Sequence, residues 1–154
     1  MAKQKSTAKG LFRPKNPEKY LGDVSKIRFM SSWEARFMVF CDTNPNVLNW
    51  ASEEIRIKYY HPVKKKVCDY VPDFLVKYRN TKGEIVTKMF EIKPNKENPD
   101  SLKAGVIGKK QKKVNPYNTV MMVINHAKWT AARAFCHKAG IEFVILTEND
   151  MFKQ

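Results

Sequence analysis

Two hydrophobic periods alternate along this chain, and the switches between them outline its elements. Trp33, Phe37, Phe40 and Cys41 recur at i, i+4, i+7 and i+8, which gathers them on one stripe of a helix over residues 31 to about 42. Ser31 and Glu34 have the spacing of a capping box, in which the serine oxygen accepts from one orphan amide and the glutamate reaches back to another. Asn44-Pro45-Asn46 then breaks the chain. Ile55, Ile57 and Tyr59 alternate with Arg56, Lys58 and Tyr60 as in a half-buried strand, which His61-Pro62 ends. After Lys64-Lys65-Lys66, the apolar stretch 67–78 predicts a second strand and 85–93 a third, separated by the turn Asn80-Thr81-Lys82-Gly83. Together they read as a three-stranded meander.

Residues 94–116 turn polar and lysine-rich, the pattern of an exposed loop or solvated helix. Periodicity leaves residues 119–124 open between strand and buried helix. Trp129, Ala132, Phe135, Cys136 and Ala139 form a helical stripe closed by Gly140, and residues 141–146 supply a last strand. The order is αβββαβ, a mixed α/β single domain without internal repeats.

Composition narrows the partners. At 154 residues, 43% hydrophobic and 12% aromatic, the chain suits one folded domain and excludes wholesale disorder. Its longest apolar runs, such as residues 120–124, are far too short to cross a bilayer, so a soluble protein is expected. A formal charge of +14 points to a polyanion such as nucleic acid or an anionic membrane. Residues 1–20 carry Lys3, Lys5, Lys9, Arg13, Lys15 and Lys19 against Glu18 alone, which reads as a flexible basic arm without the apolar core of a signal peptide. Residues 21–154 then form the folded domain. Cys41, Cys68 and Cys136 lack Cys-x-x-Cys spacing, which argues against a disulfide framework or a zinc ribbon and for a reducing compartment.

Two acids and a lysine stand where strand physics disfavours them: Asp73 in Tyr-Val-Pro-Asp-Phe-Leu-Val, and Glu91 and Lys93 around Ile92. Strand alternation puts Glu91 and Lys93 on one face and turns Phe90 and Ile92 into apolar packing. A hairpin turn centred on Lys82 sets Asp73 opposite Glu91, with Cβ atoms about 4.5–5.5 Å apart. Two carboxylates that close repel by roughly 1–4 kcal/mol, and a shared divalent ion relieves the conflict. Oxygen-only ligands favour Mg2+, with Mn2+ also suitable, and phosphodiester hydrolysis is the natural chemistry. Lys93 would orient or help deprotonate the attacking water. An ordinary ion-pair cluster on a solvated face is the bland alternative, and the +14 charge weighs against it.

Pro72-Asp73 followed by Glu91-Ile92-Lys93, in this element order, resembles the PD-(D/E)XK nuclease superfamily. More specific is a chain of blocks: Ser31-Ser32-Trp33-Glu34, Tyr70-Val71-Pro72-Asp73-Phe74, Phe90-Glu91-Ile92-Lys93-Pro94, Lys128-Trp129 and Leu146-Thr147-Glu148. These resemble the head completion nucleases of T-even-type tailed phages, related to the TnsA-like transposon endonucleases. The resemblance implies a restriction-endonuclease-like α/β fold, a mixed central sheet flanked by helices. It also implies a magnesium-dependent DNA endonuclease acting on DNA ends or at the portal after packaging, found in the virion and, during assembly, the host cytoplasm. Its partners would be DNA and phage head, portal or neck proteins. Carried over by position, the helix glutamate is Glu34, the metal acids are Asp73 and Glu91, and the catalytic lysine is Lys93; capping already accounts for Glu34.

Lys109, Lys110, Lys112 and Lys113 are candidate phosphate contacts without base readout, so strong sequence preference is not expected. Tyr59, Tyr60 and His61 stand near the end of the first strand, facing either substrate or core. The competing class is a non-catalytic DNA-binding structural protein of the phage head or neck. An RNA-binding module is disfavoured by the lack of clustered sheet aromatics and of a Gly-x-x-Gly loop.

Overall fold

A computed structural model of the chain describes residues 9–94 and 116–151. Its elements are β1 (Gly10–Leu11), β2 (Arg28–Phe29), α1 (Ser32–Thr43), β3 (Val47–Ser52), β4 (Ile57–His61), β5 (Lys66–Tyr70), β6 (Phe74–Arg79), β7 (Ile85–Ile92), α2 (Pro116–Ala139), β8 (Glu142–Leu146) and α3 (Glu148–Met151). β3, β6, β7 and β8 form a mixed sheet in that order, antiparallel except for the parallel pair β7–β8. β4 and β5 pair as a separate hairpin, and β1 pairs with β2.

The expected meander is therefore rearranged. The stretch read as one strand over 67–78 is two, because Pro72 has no amide to give a ladder. β5 stays with β4, whereas β6 moves between β7 and β3, a strand the hydrophobic pattern did not disclose. The β6–β7 register follows the Lys82-centred turn along its whole length, from Arg79 opposite Ile85 to Phe74 opposite Phe90.

Alternation divides the core into two layers. Phe74, Val76, Phe90 and Ile92 face α1, where Trp33, Phe37, Met38 and Cys41 are buried against Trp50. Each such side chain contributes about 1.5–3 kcal/mol by leaving water. Phe40, expected on the same stripe, lies at its margin and is half exposed, while Met38 is buried in full. On the opposite face Leu75, Met89, Phe143 and Ile145 meet α2 and the hairpin through Trp129, Ala132, Tyr59 and Tyr70. Residues 119–124 belong to α2, and their ambiguity resolves as helix. Its C-terminus is a Schellman cap: Gly140 has φ +69, and the Ile141 and Gly140 amides donate to the Cys136 and His137 carbonyls.

The basic arm expected over residues 1–20 is corrected from residue 10 onward; residues 1–8 lie outside the described residues. Asp42, buried at the end of α1, accepts from the amides of Lys15 (2.8 Å) and Asn16 (2.9 Å). Phe12 and Tyr20 pack edge-on against Trp50. Charge alone suggested an arm; one carboxylate and two aromatic rings hold it to the domain.

Candidate active site

β7 is gripped on both sides, by β6 and by β8, so its C-terminal end is a rigid platform. Glu91 is paired with Ile145 and Ile92 with Leu146, and the Lys93 amide donates to the Leu146 carbonyl at 2.9 Å. Because Phe90 and Ile92 pack toward α1, Glu91 points the other way, toward α2 and the hairpin. Asp73 sits immediately before β6, where Pro72 bends the chain, one step beyond the last ladder pair.

The structure brings Asp73, Glu91 and Lys93 together. The Asp73 amide donates to Glu91 Oε2 at 3.2 Å, and the Tyr70 hydroxyl donates to the same oxygen at 2.8 Å. The Ile92 amide in turn donates to Asp73 Oδ2 at 2.8 Å. Lys93 Nζ stands 3.8 Å from Glu91 Oε1. Glu91 is buried, whereas the Lys93 side chain keeps 22% exposure, so the group opens to solvent on the lysine side. Backbone amides thus fix one oxygen of each acid, and Asp73 Oδ1 carries no hydrogen bond from a described residue.

Electrostatics set the two acids against each other. Burial, then the charges of Glu91 and Glu34, push the Asp73 carboxyl well above the usual carboxylate range, with the Ile92 amide and Lys93 opposing. Burial also raises Glu91, against the pull of Lys93, the Tyr70 hydroxyl, the Asp73 amide and Lys128. Tyr70 is pushed far above its ordinary range by burial and by Glu91, so its hydroxyl remains a donor. A buried and a half-buried carboxylate that resist ionising side by side are stabilised by a cation between them.

Glu34 is also near, since its charge acts on both Asp73 and Glu53. It closes the capping box one residue earlier than expected: Ser31 Oγ accepts from the Glu34 amide at 3.2 Å, and Glu34 Oε2 accepts from Met30, not Ser31, at 2.9 Å. Three further residues belong to the site that sequence reasoning did not place there. Glu53 has φ +53, a backbone conformation unusual for its type, and its amide donates to the Asp73 carbonyl at 3.1 Å. Tyr70 holds Glu91, and Lys128 of α2 lies 5.7 Å from the Tyr70 ring centroid and 6.0 Å from that of Tyr59. Only the resemblance blocks contained Tyr70 and Lys128; no local period marks an arrangement built across three elements.

Tyr59 and His61 are core residues and Tyr60 is exposed, which divides that trio. His126 and His137 are exposed on α2. Lys109, Lys110, Lys112 and Lys113 lie outside the described residues. A cavity of about 790 Å³ lies between α1 and the sheet beside Phe37, Phe40, Tyr78 and Phe90, and neither Asp73 nor Glu91 lines it.

The donor set suits a hard cation: two carboxylates, with no thiolate or imidazole beside them. Among the described residues no three His, Cys, Asp or Glu side chains converge to enclose a metal.

An acid pair on adjoining strands with a lysine beside it, carried on a mixed sheet between helices, is the arrangement of a restriction-endonuclease-like nuclease. Residues 44–148 match the family model of the TnsA-like endonuclease N-terminal domain, and the chain belongs to that family of nucleases. Over 142 residues, 92% of each chain, it is 34% identical to the head completion nuclease of Enterobacteria phage T4. No helix among the described residues is long and apolar enough to cross a membrane.

Proposed function

We propose that the chain is a magnesium-dependent DNA endonuclease of phage head completion, hydrolysing phosphodiester bonds at DNA ends or at the portal after packaging. The carrying observation is the reciprocal bonding of Asp73 and Glu91 with Lys93 at its open side. Support for the phage setting comes from the likeness to the T4 protein over nearly the whole chain. DNA would be held through phosphates without strong sequence preference, the virion and the assembling head in the host cytoplasm being the places of action.

Asp73 and Glu91 would hold Mg2+, or Mn2+, which when bound supplies Lewis-acid stabilisation of charge on the phosphate. Tyr70 and the Asp73 amide keep the Glu91 carboxylate from rotating. Lys93 orients the attacking water and offsets negative charge on the phosphate as the P–O bond breaks. Glu34 acts through its charge on Asp73, as a positioning residue.

The test is incubation of the purified protein with linear, circular and branched DNA, with Mg2+, with Mn2+ and with EDTA. Cleavage with either ion, lost in EDTA and in Asp73→Ala and Lys93→Ala while salt-sensitive binding persists, is the expected result. Cleavage unchanged in both variants would mark a contaminating activity and leave a structural DNA-binding role.

A further inference from the structure

We propose that the β4–β5 hairpin is a preformed DNA-gripping finger, its tip lysines Lys64, Lys65 and Lys66 contacting duplex phosphates beside the cleavage site. This rests on the nuclease reading for its location relative to the cut and stands apart from it as a claim about binding.

The hairpin forms its own two-stranded sheet and packs one face on α2. Its two faces differ sharply. Ile57, Tyr59, His61 and Tyr70 are buried, while Tyr60, Val63 and Val67 are 59%, 58% and 65% exposed. Cross-strand pairing sets Tyr60 against Val67, so an aromatic ring and a branched side chain stand together in water beside a run of lysines. Lower on the ribbon, Asp69 already pairs with Lys58 and Arg56. At the tip, Lys64, Lys65 and Lys66 are exposed, and no described carboxylate comes within ion-pair distance of them.

That tip is also held in one shape. Buried His61 accepts on Nδ1 from the amides of Val63 (3.2 Å) and Lys64 (3.1 Å), and its carbonyl accepts from the Lys65 amide at 2.8 Å. Lys65 has φ +53, the left-handed conformation that turns the chain back. Three cations on a fixed turn lose little entropy on meeting an anionic surface, whereas lysines on a loose loop lose more. β5 is five residues long, so its Lys66 end stands about 13 Å from Tyr70, which touches Glu91. At about 3.4 Å of rise per base pair this spans about four base pairs of duplex, close enough for one DNA segment to engage both ends of the strand. Phosphates recognise the lysines; Tyr60, Val63 and Val67 supply apolar packing against sugars.

The experiment is a fluorescence-anisotropy titration of a labelled linear duplex without divalent metal, over a series of NaCl concentrations. The variant is Lys64→Gln/Lys65→Asn/Lys66→Gln, asparagine being chosen because it tolerates the left-handed turn. A control, Lys77→Gln/Lys82→Gln/Lys138→Gln, removes equal charge elsewhere on the surface. The hairpin variant is expected to lower the log–log salt slope by about 0.9 for each phosphate it no longer neutralises, and affinity about eightfold per phosphate at 0.1 M salt. The control should keep nearly the wild-type slope. Equal reductions in both, or an unchanged slope in the hairpin variant, would overturn the proposal, as would lysine-dependent binding to anionic vesicles with duplex affinity unchanged. Hairpin-dependent duplex binding by a wild-type protein that cuts no DNA would refute the nuclease reading and leave the finger standing.

Discussion

The amide of Asp73 donates to the carboxylate of Glu91, so the backbone of one acid fixes the side chain of the other. The Ile92 amide closes the exchange on Asp73 Oδ2. The ladder between β6 and β7 stops at Phe74 and Phe90, and these two bonds carry the pairing one step further with side-chain oxygens in place of carbonyls. Site geometry therefore depends on strand register, since a slip of one residue would separate the acids.

Tyr70→Phe keeps the ring beneath Lys128 and removes the donor to Glu91 Oε2. Losing a partner behind a metal-binding acid costs about 10- to 100-fold in affinity or activity. Cleavage by this variant should need a higher Mg2+ concentration for half-maximal rate; an unchanged Mg2+ dependence would remove Tyr70 from the site.

Glu34 has two tasks that substitution separates. Glu34→Gln retains an acceptor for the Met30 amide and should leave the melting temperature nearly unchanged while lowering cleavage. Glu34→Ala also removes the acceptor for the Met30 amide, at about 1 kcal/mol, while the Ser31 cap on the residue 34 amide remains. Full cleavage by Glu34→Gln would confine the residue to capping.

His61 predicts an acid-side weakness. Burial, with Lys64, Lys128 and Lys66 around it, holds its pKa below the usual histidine value, and protonating Nδ1 would cost the turn its acceptor. The unfolded chain then takes up the proton first as pH falls, so this contribution is complete above about pH 6.5 and is lost as pH falls through the folded value. Thermal melts between pH 8 and pH 5 should show wild type losing more stability than His61→Asn. Parallel curves would contradict this.

Asp42→Ala should free residues 10–20 from the domain. Two amide bonds to a buried carboxylate disappear, at a cost of about 3 kcal/mol. Denaturant unfolding measures the change in stability, and limited proteolysis at Lys15 or Lys19 should quicken; neither effect would mean that Phe12 and Tyr20 suffice.

Local chemistry made much of this legible. Asn80-Thr81-Lys82-Gly83 dictates the β6–β7 register, and with it the meeting of Asp73 and Glu91, through turn geometry alone. β3 escaped notice because Val47, Trp50, Ala51 and Ser52 are buried without alternation, around an irregularity between Val47 and Asn49. The N-terminal half of α2 is ambiguous by period until Met122 and Asn125 are seen to continue the buried stripe of Trp129, Ala132 and Cys136. Tyr70, Lys128 and Glu53 come from three elements far apart in the chain, and their convergence on the acids is a property of tertiary packing.

Manganese titration of the purified protein, followed by the loss of free-ion EPR signal, addresses the metal site itself. Wild type should bind Mn2+ and Lys93→Met should bind it while failing to cut DNA, whereas Asp73→Asn and Glu91→Gln should lose binding. Undiminished Mn2+ binding by both acid variants would place the metal elsewhere and contradict the Asp73–Glu91 site.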